Sequence, residues 1–468
     1  MSRKRQMISS AGNWGDVGMT KSTPEPDFVL RDGFSGERVM LVRGRGVFVE
    51  DAKGKRYLDA IGGVGVVNVG HAVPEIVDAI ATQAGSLAFS YGHKVDNLPR
   101  CRLAELIQHW APPGMGHTRT LFSSGGAEAN EAALKLAVQY HREKGHPGKT
   151  HFISRWQSYH GNTLGALSVS GRTQWRQDFE SLLCRVTHIQ PPYCYRCPYG
   201  QNYPGCGLAC AEELERVIRQ IGPHNIAAFI AEPIIGTSMS AVVPPPEYYP
   251  RIREICDRYD VLLIVDEVMS GFGRTGHRFG IDHWDVTPDI ITVAKGISGG
   301  YAPLAATILR DGIWRAFESG SGKVQHSYTY GGNPLSCAAG VAVLRYLEEH
   351  SLAERAGAIG AELVRAIRDA TADLPWVGDV RGLGLFLGIE LVADSSTREP
   401  FPVALDIAHR VVDEAFDRGM LILGGVTGNV DGVAGDHVEL LPPYTIADDH
   451  CEFIAATLKE SIEAACRD

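Results

Sequence analysis

A chain of 468 residues, 44% hydrophobic and 21% charged, is expected to fold as a soluble globular protein with two or three domains. Its net charge of −10 argues against nucleic acid as the main partner, because phosphate binding needs a basic surface. No apolar stretch is long enough to span a bilayer, and the basic start Met1-Ser-Arg-Lys-Arg5 lacks the apolar run of a signal peptide, so the cytoplasm is the expected location.

Residues 1–35 are polar, with Gly12, Gly15, Gly18, Pro24 and Pro26, and read as a poorly structured lead-in or a docking arm. Val47-Phe-Val-Glu-Asp51 and Lys55-Arg-Tyr-Leu-Asp59 flank Ala52-Lys-Gly54 and predict a hairpin. The Gly-rich Gly62-Gly-Val-Gly65 follows, then a helix over 74–86. From 100 to 345 two signals alternate. Helices are expected near 100–110, 128–143, 211–221, 247–259 and 334–349. Strands are expected near 119–123, 151–154, 186–190, 226–231, 261–266, 290–294 and 304–309. Such alternation predicts an α/β fold with a mostly parallel seven-stranded sheet covered by helices on both faces. Beyond 350 come a helix (352–370), a strand (Arg381–Leu391) and a helix (403–419), a smaller α+β domain that the N-terminal hairpin would complete. The expected division is therefore an N-terminal arm and part of the small domain over 1–75, a large domain over 76–350, and a C-terminal small domain over 351–468.

Two of these strands end in a charge. Val261-Leu-Leu-Ile-Val-Asp266 and Ile290-Ile-Thr-Val-Ala-Lys295 are short, apolar and without polar alternation, as buried parallel strands are. A charge at the carboxyl end of such a strand faces the crevice where α/β folds bind ligands. An acid and an amine placed this way suggest a cofactor held between them, and aldehyde cofactors need an amine to form a Schiff base. A structural salt bridge for Asp266 and a snorkelling Lys295 are the plainer alternatives. Glu267 and Glu232 raise the same question at other strand ends.

Thr120-Leu-Phe-Ser-Ser-Gly-Gly-Ala-Glu-Ala-Asn130 runs from strand through glycine into helix. Free amides at such a start bind anions, and Gly125-Gly126 lets a phosphate approach; a tight turn explains the same glycines. Tyr159-His160-Gly161 follows a strand end, where an aromatic ring can stack on a planar heterocycle or simply line the rim. Gly271-Phe-Gly-Arg-Thr-Gly276 matches G-x-G-x-x-G, but no apolar helix follows, so a dinucleotide site is rejected in favour of a mobile turn carrying Arg274. His326-Ser-Tyr-Thr-Tyr-Gly-Gly-Asn-Pro334 precedes a helix and offers the Thr329 hydroxyl to a phosphate, or is a capping turn.

Taken together, these segments resemble the class III (ω-aminotransferase-like) pyridoxal-phosphate enzymes of fold type I, across roughly residues 35–460. Gly-Gly-Ala-Glu-Ala-Asn-Glu (125–131), Tyr-His-Gly (159–161), Ala-Glu-Pro (231–233), Asp-Glu-Val (266–268), Gly-Phe-Gly-Arg-Thr-Gly (271–276), Ala-Lys-Gly (294–296), Thr-Tyr-Gly-Gly-Asn-Pro (329–334) and Arg-Gly-Leu-Gly (381–384) carry the resemblance. It implies that Lys295 holds pyridoxal 5′-phosphate as an internal aldimine and shuttles the proton, and that Asp266 pairs with the pyridinium nitrogen. Tyr159 and Val268 would cover the two ring faces, with His160 and Glu232 nearby. Gly125, Gly126 and Ala127 would hold the phosphate, with Thr329 reaching that of a neighbouring subunit in a homodimer or a dimer of dimers. Arg381 would grip the substrate carboxylate. Gly65 stands where amine-selective relatives often have tryptophan, which implies a more open substrate pocket.

The resemblance implies transamination from an amine or ω-amino acid to a small keto acid such as pyruvate. A decarboxylase or aminomutase on the same fold is the alternative. One segment lies outside it: Cys194, Cys197, Cys206 and Cys210, within a Cys-rich insertion at 191–210, have the C-x₂-C-x₈-C-x₃-C spacing of a four-thiolate metal site. Zinc, an iron–sulfur cluster or a loop of reduced thiols each satisfies that spacing. A metal- or redox-responsive binding protein built on this cluster is the alternative of another class.

Overall fold

In a computed structural model, residues 30, 38–92, 94–425 and 428–467 are described, so nearly all of the expected lead-in at 1–35 lies outside them. The N-terminal part gives three strands, β1 (Leu41–Arg45), β2 (Phe48–Asp51) and β3 (Arg56–Asp59). The middle gives β4 (Arg119–Ser123), β5 (His151–Arg155), β6 (Val186–Ile189), β7 (Ile226–Ala231), β8 (Leu262–Asp266), β9 (Ile290–Val293) and β10 (Ala305–Leu309). The C-terminal part gives β11 (Val377–Leu383), β12 (Phe386–Leu391), β13 (Met420–Leu421), β14 (Leu423–Gly424) and β15 (Asp436–Leu440).

The central sheet has seven strands in the order β4-β10-β9-β8-β7-β5-β6. Its ladders from β6 to β9 are parallel, and β10 alone runs antiparallel to both its neighbours. Side chains alternate between two cores, as the two-residue period of a strand requires. Ala228, Ile230, Leu262, Ile264 and Ile290 pack with Ala133, Leu136 and Ala137 of helix Gly126–Glu143 and with Ile313 and Phe317 of helix Asp311–Ser319. Phe229, Ala231, Leu263, Val265 and Ile291 face the other way, into a core shared with helices Ala209–Ile221 and Tyr248–Tyr259. At about 25 cal/mol per Å² of apolar surface, this two-sided burial is what holds the strand ends in place.

Two smaller sheets flank it. The expected hairpin forms, and β13 joins β3 in parallel, so the first sheet is closed by a strand from far along the chain. The other has the order β11-β12-β15-β14. Here one expectation is corrected. Residues Arg381–Leu391 are two antiparallel strands, not one, reversed at Gly384 with φ +56. A Cβ on Gly384 would lie 2.5 Å from the Thr275 carbonyl carbon, so the turn presses on the 271–276 segment. That segment is no mobile turn either: Arg274 is buried, its Nη1 donating to Leu385 O (3.1 Å) and Pro442 O (2.6 Å), its guanidinium 4.6 Å over the Tyr444 ring. No helix among the described residues is long and apolar enough to cross a membrane.

Candidate active site

Asp266 and Lys295 end adjacent parallel strands, β8 directly and β9 after one more residue. Asp266 is buried, and both of its oxygens are engaged. Its Oδ2 accepts from Asn130 Nδ2 at 2.7 Å and meets His160 Nδ1 at 2.7 Å, while Oδ1 accepts from Val268 N at 3.0 Å. Asn130 is held in turn, accepting from Thr292 Oγ1 at 2.7 Å and donating to His160 O at 2.7 Å. A buried carboxylate so tied has a fixed direction and lone pairs left for one more donor.

Lys295 sits in a short turn with φ +47. Its Nζ donates to Met269 Sδ. Burial pushes the amine well below the ordinary lysine range, opposed by the charges of Glu439 and Asp266. Met269 leads to the next wall: a Cβ on Gly65 would lie 3.4 Å from Met269 Cε and 3.3 Å from Leu441 Cδ1. Three chain segments are stitched here, since Leu441 N donates to Ala60 O (2.8 Å), Tyr444 N to Asn68 O (2.7 Å) and Asn68 Nδ2 to Gly296 O (3.0 Å).

Helix Gly126–Glu143 begins beside this point. Gly125 is its N-cap and no side chain caps its amides. A Cβ on Gly126 would lie 3.0 Å from Val268 Cγ2, whereas the same position on Gly125 meets nothing within 4 Å. Gly125, Gly126, Ala127, Tyr159, Val268, Met269 and Lys295 all keep partial exposure, although Ala129, Asn130, His160 and Asp266 around them are buried. An opening therefore runs from uncapped helix amides, past an aromatic ring and a valine, to an amine and an oriented carboxylate. Glu232 is buried at its edge, accepting from Gly236 N (3.1 Å) and Tyr159 N (3.4 Å) with Arg155 Nη2 4.0 Å away. Burial pushes its carboxyl up.

Residues 34–462 match the family model of class-III aminotransferases. An uncharacterized aminotransferase of Bacillus subtilis strain 168, YodT, is 38% identical over 437 residues, 93% of this chain and 98% of its own. The chain belongs to the class-III aminotransferase family. Among solved structures, an amine transaminase from an uncultivated Pseudomonas species, in its pyridoxal-phosphate-bound form, superposes with a TM-score of 0.87 at 36% identity, covering 95% of this chain and 99% of that one. A thermostable ω-transaminase whose tryptophan was changed to glycine, engineered for asymmetric synthesis of enantiopure bulky amines, superposes at 0.84 with 31% identity over 92% of this chain and 94% of that one.

The aminotransferase reading carries the fold type I architecture and pyridoxal-phosphate-dependent transamination with it. The decarboxylase, aminomutase and binding-protein alternatives are not favoured. The residues present fit the cofactor: the open cradle at Gly125, the uncapped helix start and the spare acceptor capacity of Asp266 match a phosphate at one end and a protonated ring nitrogen at the other.

The four-thiolate metal site is not supported among the described residues. Cys194, Cys197, Cys206 and Cys210 line a cavity of about 20 Å³, yet no group of three or more His, Cys, Asp or Glu side chains among the described residues is arranged to hold a metal ion. Arg381 is placed differently from a free fork. Its Nε donates to Ser240 O (2.9 Å), Nη2 to Met239 O (2.6 Å), and Nη1 to Asp379 (3.1 Å) and Glu390 (2.8 Å). Thr329 is exposed.

Three residues at the site escape sequence reasoning: Asn130, Met269 and Glu439. Asn130 carries a usable signal, a polar side chain on the apolar face of its helix between Ala129 and Ala133. Glu439 carries another, a lone acid in the run Val438-Glu-Leu-Leu441.

Proposed function

We propose that this aminotransferase moves an amino group from an amine or ω-amino acid to a small keto acid such as pyruvate, as a cytoplasmic homodimer or dimer of dimers. The donor carbon ends as a carbonyl and the acceptor carbonyl as an amine, so the two half-reactions balance without an external oxidant. One observation carries the reading: the Lys295 amine and the Asp266 carboxylate, the latter oriented by Asn130 and His160, end adjacent strands beside an uncapped helix start.

Bound pyridoxal phosphate supplies the electron sink that weakens the donor's Cα–H bond. Asp266 keeps the ring nitrogen protonated, and its own partners hold it in line. Lys295 Nζ takes the Cα proton, a task suited to an amine held below the ordinary lysine range. Tyr159 and Val268 would confine the bound ring between them. The uncapped amides of Gly126 and Ala127 would hold its phosphate. The exposure of Thr329 supports its reaching the phosphate site of a second copy. Ten free cysteines support a reducing compartment. Arg381 acts as a positioning residue, since its donors are committed to Glu390, Asp379 and two backbone carbonyls. Gly65 supports tolerance of bulky donors, as the engineered tryptophan-to-glycine relative does.

The test is a screen of amines and ω-amino acids with pyruvate and 2-oxoglutarate, following both products. Equal consumption of donor and keto acid is expected. Release of CO₂ or isomerised donor without keto-acid consumption would overturn the reading.

A further inference from the structure

The Cys-rich insertion at 191–210 takes no part in the chemistry above, yet it walls a second cavity of about 500 Å³ against residues 397–398 and 429–431. Gln157, Arg196, Asn202, Arg398, Asn429 and Asp431 are among its lining, and Lys295, Asp266 and Tyr159 are not. Its volume falls within the roughly 300–1,000 Å³ of small-molecule sites.

Two guanidinium groups meet there. Arg196 lies 5.3 Å and Arg398 4.7 Å from the centre of one ring, that of Tyr195. Arg196 Nε donates to Glu390 Oε1 at 2.7 Å, but Arg381 and Tyr193 draw on the same carboxylate. Arg196 Nη2 is left buried without a partner. Arg398 is exposed and donates to a backbone oxygen, that of Tyr195. With Asp379 pairing to Arg381, three guanidiniums face two carboxylates. Burial, then the charges of Arg398 and Arg381, push the Arg196 guanidinium below its ordinary range, with Tyr195 opposing them. Asn429 is a separate sign of a missing partner. It is 5% exposed and lies near Glu390, yet neither atom of its amide has a hydrogen-bond partner. A buried amide left so is destabilising unless something else satisfies it. Asp431 also lines the cavity, an acid that any anion there has to tolerate.

A dianion answers both observations. Phosphate and carboxylate oxygens suit guanidinium forks, offset the repulsion between two of them, and accept from an amide NH₂. We propose that this cavity is a second ligand site, outside the catalytic opening, where Arg196 and Arg398 clamp the dianionic head of a small metabolite, a phosphate ester or a dicarboxylate, with the Asn429 amide as a further donor. Such a ligand ties the insertion, which carries Arg196, to the 394–399 turn, which carries Arg398. The site holds whatever the amino donor proves to be.

The experiment is calorimetric titration of the cofactor-loaded enzyme, in which the cofactor's own phosphate site is filled, with inorganic phosphate and separately with succinate. Saturable heat is expected with at least one. Phosphate alone identifies an ester head, succinate alone a dicarboxylate, and both together any compact dianion. Arg196→Met and Arg398→Met each weaken the binding roughly 10- to 100-fold, as loss of a hydrogen-bonded charge does. Arg398→Met, which leaves the bonds to Glu390 intact, carries the test if Arg196→Met fails to fold. Asp431→Asn, which removes the opposing acid, tightens it. Hydrogen exchange with the probe present slows in 194–202 and 396–399. No heat with either probe, heat that both arginine variants keep, or slowing confined to 124–128 and the Lys295 turn would overturn the inference. Binding weakened by Asp431→Asn would do the same.

Discussion

His160 Nδ1 lies 2.7 Å from Asp266 Oδ2, and that oxygen also accepts a 2.7 Å hydrogen bond from Asn130. Because Asn130 is itself fixed by Thr292, the carboxylate cannot swing from the position a ring nitrogen needs. Asn130→Ala is therefore expected to lower kcat about 10- to 100-fold, the worth of one hydrogen bond to a charged group. Cofactor release, followed by loss of its visible absorption during dialysis, should quicken. Unchanged kcat and retention would remove Asn130 from the positioning network.

Lys295 is depressed by burial and by Arg274, while Glu439, Asp266 and Glu232 oppose them. A depressed amine is neutral and nucleophilic above its own, lowered pKa. Capture of pyridoxal phosphate by the apoenzyme should thus rise along a pH profile well acid of the 10.5 of an ordinary lysine. Glu439→Gln, by removing the largest opposing charge, should move the midpoint further acid. Lys295→Ala should abolish capture. Stopped-flow absorbance measures all three, and a wild-type midpoint near that of free lysine counts against the account.

Glu267 bears on stability. Its carboxylate accepts from Ser270 Oγ (2.5 Å), Gly280 N (2.8 Å) and Ile281 N (2.8 Å), yet burial outweighs these bonds and pushes its pKa up to about 7 from 4.5. With the folded value raised, the folded state binds more protons than the unfolded one between those limits. The contribution is fully present below pH 4.5 and is lost as pH rises through 7, an amount of about 3 kcal/mol from this group. Denaturant unfolding across that window should show the slope, and Glu267→Gln should flatten it.

Arg381→Ala strips a partner from buried Glu390 and should cost about 3–5 kcal/mol in unfolding free energy. Acceptor KM, measured below the transition on protein that stays folded, should move little. A large rise in KM for pyruvate with intact stability would restore Arg381 as a substrate fork.

Gly65 has φ +71, a backbone conformation that costs a side chain about 1–2 kcal/mol. Gly65→Ala should lose that much stability and also push its methyl toward Met269 and Leu441. A fall in kcat/KM for bulky amines relative to small ones should accompany it. Equal effects on both would place Gly65 outside the pocket wall.

The central sheet was legible because its strands are apolar on both faces: Leu262–Val265 and Ile290–Val293 announce themselves, and Asp266 and Lys295 stand out as their charged ends. Strand β15 hid because buried Asp436, His437 and Glu439 break the apolar pattern that marks a strand, and Glu439 was hidden with it. The hairpin at Gly384 hid because only two residues separate Leu383 from Phe386, so that Leu383-Gly-Leu-Phe-Leu387 reads as one uninterrupted apolar run. The motif around Arg381 was conspicuous, but its partners Glu390, Met239 and Ser240 could not be read from it, because they come from other elements.

Strand β10 lies antiparallel between β9 and β4. Its contact with β9 closes only the stretch from Ala294 to Leu304 that bears Lys295, whereas its contact with β4 must gather residues 119–123 from far upstream. Loop closure costs least for the shortest span, and local pairings assemble soonest. The amine's turn is thus set by a self-contained hairpin early in refolding, while Asp266 waits for Asn130 to arrive on a distant helix. Pulse-labelled hydrogen exchange should find amides of 290–293 and 306–309 protected together, ahead of those in 119–123.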